Sequence, residues 1–271
     1  FWDVFATDDN QYYWSGNNNL RGAATRIAFD PTASDTRPTF AGVFGGENII
    51  TSGLVLNLDG NNYTSGTTWT DTSGQGNNGT LTNGPTFDSA NGGSIVFDGT
   101  NDYVQFSSDM FNPNADFTIS SWVNLDTASG TNNYTIVSDF NFTGSIQLRY
   151  KNGTGVQIID NNIVNVGTFA SSSLSTTTWY NVTVTRSSNT YTLYLNGSST
   201  SSFTSSNTYD GGARSIGINK YNSEKWDGKI AQVLAYNTAL SDSDVKHNYD
   251  AMKGRYLDQP LTFSGISFSL T

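Results

Sequence analysis

The chain has 271 residues, with 13 Lys and Arg against 23 Asp and Glu, a net charge of −10 and an isoelectric point near 4.3. That balance argues against nucleic acid, whose phosphates need a positive footprint, and the absence of cysteine excludes disulfides and thiolate metal sites. Stability then has to come from burial, hydrogen bonds or hard cations, and with no apolar run of 18 residues the sequence predicts no membrane insertion. A start at Phe1 rather than Met leaves processing and an incomplete fragment as open alternatives.

Residues 1–50 differ from the rest. They carry an aromatic cluster (Phe1, Trp2, Phe5, Tyr12, Tyr13, Trp14), three arginines (Arg21, Arg26, Arg37) and Pro31 and Pro38. We expect an N-terminal arm or small subdomain here, anchoring the chain in an assembly by burying Trp2, Phe5, Tyr13 and Trp14.

From Gly53 the pattern is strand, turn, strand. In GLVLNLDG, Leu54, Leu56 and Leu58 fall on one face, and in GGSIVFDG, Ile95 and Phe97 oppose Val96, the alternation a pleated strand imposes. Turns are expected at Asn83, Asp98 and Asn78–Gly79. Strand-like segments recur at short spacing: FTISSWV from Phe117, SIQLRY from Ser145, GVQIID from Gly155, WYNVTVTR from Trp179 and TYTLYLNG from Thr190. The last two form the clearest hairpin, turning at Ser187–Asn189, with Tyr180, Val182 and Val184 on one face and Tyr191, Leu193 and Leu195 on another. The cadence predicts an all-β, two-sheet antiparallel jelly-roll sandwich.

One short C-terminal helix is expected. Ser241 is its N-cap, Asp244 completes a capping box, Val245, Tyr249 and Met252 share a face, and Gly254 ends it. A staple between Leu240 and Val245 places it as a cap on an edge or end of the sandwich. The tail 258–271 alternates again (Leu261, Phe263; Ile266, Phe268, Leu270) and reads as a strand seeking a partner.

The blocks GLVLNLDG, WTDTSGQGNNGTLTNGPTF, VFDGTNDYV, DFTISSWV, LYLNG and WDGKIAQVLAYNTALSDSDV, in that order across 51–257, resemble the laminin G-like (LamG) domains of the concanavalin A-like lectin/glucanase superfamily. The GLVLNLDG to FDGTNDYV portion looks especially like LamG-like domains in structural proteins of tailed bacteriophages. The resemblance implies two curved antiparallel sheets, frequent calcium binding and frequent sugar binding, but no single function.

Chemistry is sparse. Glycosidases need two carboxylates about 5–10 Å apart. The glucanase branch carries Glu, Asp and Glu at alternate positions of one strand, whereas this chain has only Glu47 and Glu224, both in apparent loops. Asp98 with Asp102 could substitute, yet they flank a turn that explains them without catalysis. His247, the only histidine, reads as a solvated helix residue, and neither a GxSxG elbow nor a phosphate loop is present. We therefore expect no enzyme.

A structural calcium ion is the one cofactor in view, with Asp59, Asp71, Asp98, Asp102 and Asp227 as its ligand set; the alternative is that each caps a turn amide. A carbohydrate would need exposed rings beside amides or carboxylates, for which Tyr63, Tyr134, Tyr209, Tyr221 and Trp226 are the candidates, the competing reading being core packing. Sequons such as those at Asn62 and Asn133 are expected by chance in a chain so rich in Ser, Thr and Asn.

The reading preferred from sequence is a non-enzymatic virion surface protein (capsid decoration, head fibre or tail fibre) displaying an adhesion domain. Its partners would be other virion capsid or tail proteins, further copies of itself, and host or mucus glycans. The alternative is a secreted or cell-surface carbohydrate-binding module, calcium-dependent if the carboxylates bind the ion.

Overall fold

The computed structural model of the chain describes residues 49–138, 144–160, 164–219 and 221–257, with the side chains of 164 and 165 excepted, and 2–6, 11–16 and 26–28 as backbone strands. Two compact units divide it, Phe1–Glu47 and Asn48–Thr271. The first contains β1 (Trp2–Ala6), β2 (Gln11–Gly16) and β3 (Arg26–Ala28) in an antiparallel sheet of order β1-β2-β3. Phe5 pairs with Tyr13 across it, and Val4 with Trp14. The burial of Trp2, Phe5, Tyr13 and Trp14, on which the anchor reading depends, lies outside the described residues, as does the tail 258–271.

The second unit opens with β4 (Leu54–Asp59), β5 (Thr68–Trp69), β6 (Gly79–Thr82), β7 (Thr86–Asp88), β8 (Ser94–Asp98), β9 (Tyr103–Gln105) and β10 (Phe117–Leu125). It continues with β11 (Asn133–Ser138), β12 (Ile146–Lys151), β13 (Gly155–Asp160), β14 (Val164–Thr168), β15 (Trp179–Ser187) and β16 (Thr190–Leu195). Then follow β17 (Ser198–Thr204), β18 (Ser215–Ile216), β19 (Asp227–Tyr236) and the helix α1 (Asp242–Tyr256). Two eight-stranded antiparallel sheets result. One has the order β17-β16-β15-β10-β19-β8-β7 with β4 also on β19; the other has the order β14-β13-β12-β11-β18-β9-β6-β5. This is the expected jelly-roll sandwich.

Its core is built by the alternation read from the sequence. Val182 lies opposite Leu195 and Val184 opposite Leu193, so both faces of the predicted hairpin turn out to be one face of one sheet, packed with Ile119, Phe117 and Ile230. The second sheet contributes Tyr134, Ile136, Ile146, Leu148, Tyr150, Val156 and Ile158 to the same core. Leu56 and Leu58 join it, but Leu54 does not: the register slips between Ala235 and Tyr236, and Leu54 packs instead with Tyr194, Leu234, Tyr236, Leu240 and Val245. Such a bulge adds a residue to one strand and reverses which way the next side chain points. Ile49 and Ile50 pack against this second cluster, so the sandwich's packing begins before Gly53.

The helix starts as expected, with the Ser241 hydroxyl accepting the Asp244 amide and the Asp244 carboxylate accepting back. It differs in two ways. It continues past Gly254 to Tyr256, because burying the Tyr256 ring against Trp122 (4.5 Å between centroids) and Trp179 (5.1 Å) outweighs the weak helix propensity of one glycine. And it lies across the outer face of the first sheet rather than on an edge, since Trp122, Trp179 and Ala231 project there to meet Tyr249, Met252 and Tyr256. The Asn196–Gly197 turn runs beneath it, where a Cβ on Gly197 (φ +73°) would come within 2.8 Å of the Tyr249 ring. Arg255 closes the helix onto the sandwich through both oxygens of Asp59, at 2.7 and 2.8 Å. None of the described helices is long and apolar enough to cross a membrane.

This packing makes an alkaline prediction. Burial, reinforced by its hydrogen bond to Asp242, pushes the Tyr194 hydroxyl up to about 12, and burial raises Tyr236 and Tyr256 as well. The folded state therefore holds protons that the unfolded chain releases near pH 10, so stability is intact below about pH 10 and falls as pH rises through about 12. Melting temperatures measured from pH 9 to 12 should fall over that window, and Tyr194→Phe should make the fall shallower.

Candidate functional site

Three loops and a strand end meet where β4 and β10 begin and β19 finishes. They surround a cleft of about 570 Å³ lined by Gln75 and Asn77, by Asp109 to Asn114, by Tyr209 to Gly212, and by Val55 and Asn237.

Each wall is fixed by side-chain to backbone bonds, which is how a polar loop holds one shape. In the first, Asp71 accepts from the backbone amides of Asn57 (2.9 Å), Ser73 (2.9 Å) and Asn77 (2.8 Å) and from the Ser73 hydroxyl (2.8 Å). The Ser73 hydroxyl in turn accepts the Gln75 amide, and Asn77 Nδ2 donates to the carbonyl of Val55. In the second wall, Met110 and Phe111 are buried in the core and Phe111 packs 4.4 Å from Phe117, while Asn112 Oδ1 accepts the Asn114 amide in a tight turn.

The third wall is clasped to the second. Asn114 accepts the Tyr209 amide (2.8 Å) and donates to the Tyr209 carbonyl (2.7 Å), so one side chain replaces a rung of sheet between loops 95 residues apart. Gly212 lies so close beneath the second loop that a Cβ there would collide with the Phe111 carbonyl. Asp109 pairs with Arg214 at 2.6 Å. Tyr209 forms the floor, its ring buried and its hydroxyl 3.4 Å from that of Tyr191; burial raises its pKa.

The exposed polar residues left facing this space are Gln75, Asn112, Asn237 and Asp210. Amides both donate and accept, and a carboxylate accepts two hydroxyls at once, so the cleft suits a ligand that presents several hydroxyls in fixed directions. Of the two carboxylates that line it, Asp109 is held by Arg214 and Asp210 is exposed.

The aromatic residues singled out from sequence are not gathered into a platform. Trp226 and Tyr134 are buried in the core, which covers the ring faces a sugar would stack on, and Tyr209 reaches the cleft only as its floor. Tyr63 is half-buried against Phe87, with ring centroids 5.2 Å apart. Tyr221, 48% exposed, lies in the turn before Glu224. Trp69, Trp122 and Trp179 also pack inside, as the competing reading had it.

Of the acidic residues proposed for calcium, Asp98, Asp102 and Asp227 are brought together, with Asp227 opposite Asp98 across β8 and β19 and Asp102 accepting the Asp98 amide, whereas Asp59 and Asp71 are each engaged by partners of their own. Asp59 is held by Arg255, Asp71 by its four donors, Asp98 accepts the Thr100 amide, Asp102 accepts the Asp98 amide, and Asp227 accepts the Thr127 hydroxyl. A carboxylate ringed by N–H donors presents the wrong polarity to a cation. Among the described residues no three His, Cys, Asp or Glu side chains are placed to hold a metal ion. Asp98 and Asp102 remain turn partners, with burial raising the pKa of Asp102. Glu224 is in a loop, as read, but bound: Arg149 (2.5 Å), Gln147 (2.6 Å) and Asn133 (2.8 Å) all donate to it on the outer face of the second sheet. That face is a closed polar network, with Arg149 also bonded to Gln157.

Two antiparallel sheets face to face, with loops gathered round a polar cleft at one end, define a jelly roll of the concanavalin A type. The chain belongs to the concanavalin A-like lectin/glucanases superfamily, the Laminin_G_3 family model matching residues 98–246. No curated protein matches it in sequence. Among solved structures it is similar to the botulinum neurotoxin serotype D binding domain, with a TM-score of 0.58 and 19% identity over 74% of this chain and 52% of that one. The serotype D ligand binding domain in complex with N-acetylneuraminic acid aligns with a TM-score of 0.57 and 19% identity, over 74% and 51%. Trypanosoma rangeli sialidase gives 0.55 and 15%, over 76% of this chain and 34% of the enzyme. The chain thus spans about half the toxin domain and a third of the sialidase, and at these identities the likeness is one of fold.

Proposed function

We propose that the protein is a non-catalytic glycan-binding module and that the loop-end cleft is its binding site. The observation that carries this is the cleft itself, where the amides of Gln75, Asn112 and Asn237 and the carboxylate of Asp210 are presented on loops locked by Asp71, Asn114 and Gly212. A preorganised set of this kind binds a polyol without first having to order its loops. The family supports the reading, as does the shared fold with a toxin domain solved in complex with N-acetylneuraminic acid. The turn geometry of Asp98 and Asp102 and the full set of partners around Glu224 favour a binding role over hydrolysis. Display on a virion surface, as a decoration or fibre subunit, is the finer proposal. Its support is the resemblance of the GLVLNLDG to FDGTNDYV segment to phage structural proteins, and an adhesive module there would engage host or mucus glycans.

Binding to an immobilised glycan panel tests the site. Gln75→Ala and Asn237→Ala should each weaken binding of the glycan by about tenfold, the equivalent of about 1.4 kcal/mol and so of one good hydrogen bond, with the melting temperature unchanged. A parent protein that binds nothing on the panel, or variants that bind as the parent does, would remove the cleft from consideration.

A further inference from the structure

The charge of the cleft restricts which sugars it can take, an inference that rests on the glycan-binding reading. Among the described residues two carboxylates line it, and no lysine, arginine or histidine does. Asp109 is neutralised by Arg214, whereas Asp210 is exposed and has no ion-pair partner among the described residues. The backbone of Asp210 is nonetheless fixed. Its amide donates to the Gly144 carbonyl at 2.9 Å, the next residue bridges to Ser145, and its side chain lies against Gly144, where a Cβ would come within 3.1 Å of the carboxyl carbon. Gly144 adopts φ +80°, which suits glycine and leaves that space open.

An exposed, unpaired carboxylate carried on a fixed backbone in a cleft of amides accepts hydroxyl or ammonium hydrogens and repels a second carboxylate. The protein's net charge of −10 adds to that repulsion at long range. We infer that Asp210 is a specificity-determining residue that makes the cleft select uncharged or amino sugars and reject acidic ones, sialic and uronic acids included. The fold is thus shared with a domain that was solved with N-acetylneuraminic acid while the charge of this cleft selects the opposite ligand class.

The test is a panel of matched glycan pairs, each with and without a terminal sialic acid, probed with the full chain and with Asp210→Asn at low and high salt. The parent should bind the neutral member of a pair at least about tenfold more tightly than the acidic one, with the gap narrowing at high salt. Asp210→Asn should narrow it at low salt, since the amide keeps an acceptor oxygen but loses the charge. Preferential binding of the sialylated members by the parent, or an unchanged ratio in Asp210→Asn, would overturn the inference while leaving sugar binding intact. Binding to neither member of any pair would overturn the glycan-binding reading and this inference with it.

Discussion

Asp71→Ala should lower the melting temperature by roughly 10 °C and abolish glycan binding, although Asp71 itself does not line the cleft. Four donors converge on its buried carboxylate, and a hydrogen bond to a charged group contributes about 1.5–3 kcal/mol. These bonds share one acceptor and are not additive, so about 3–4 kcal/mol is the expected total. Without the carboxylate the amides of Asn57, Ser73 and Asn77 lose their acceptor, and the loop carrying Gln75 and Asn77 is left with the Asn77 bond to Val55 and the Asn78 bond to the backbone of residue 71. Asp71→Asn, which retains one acceptor oxygen, should fall between alanine and the parent in both thermal melts and binding. Asp59→Asn provides the contrast: its partner is Arg255 on the helix, so it should reduce stability and spare the affinity. A melting temperature for Asp71→Ala within about 2 °C of the parent would show that the cage is not what orders the loop.

Trp122→Ala has an effect of similar size at the other face of the first sheet. The indole is buried between the sheet and α1, stacked on Tyr249 at 5.6 Å and tilted against Tyr256 at 4.5 Å. Deleting a buried tryptophan side chain costs about 3–5 kcal/mol, from lost transfer energy and the cavity left behind. The loss should be local before it is global. Tyr256 would still touch Trp179, but the helix would lose the ring that both of its tyrosines pack on. Hydrogen exchange should show the amides of 242–256 unprotected while β12 and β13, on the second sheet, stay closed. If protection falls equally in both places, the helix is part of the sandwich's cooperative unit rather than a cover laid on it.

What was legible in the sequence follows the range of each interaction. Alternation along a strand is local, so the β15–β16 hairpin, the inward Ile95 and Phe97 and the Ser241 cap were all readable. The two-residue strands β5 and β18 were not, because two residues cannot establish a period. Neither was the slip that sends Leu54 to the helix side, since it is defined only by the partner strand. The helix's site on a sheet face was hidden for a related reason: Trp122 reads as an ordinary strand aromatic until Tyr249 and Tyr256 arrive over it.

The cleft was illegible for the strongest form of the same reason. Its clasp joins Asn114 to Tyr209, and its walls come from segments separated by most of the domain. In the sequence, Asn112–Pro113–Asn114 and Asp210–Gly211–Gly212 are turn signals like a dozen others in this chain. Aromatic rings drew attention as sugar platforms because their chemistry is conspicuous, yet large rings are also what a sandwich most readily buries, as Trp226 and Tyr134 show.

The most direct test of the central claim is to map where a bound glycan sits, by following the backbone amide resonances of the full chain as a panel-selected sugar is titrated in. The account predicts shifts concentrated at residues 73–77, 110–114, 209–212 and 237, with little change across the Arg149–Glu224 face of the second sheet. Shifts centred on that face, or around Tyr221, with the loop-end cleft unchanged, would contradict it.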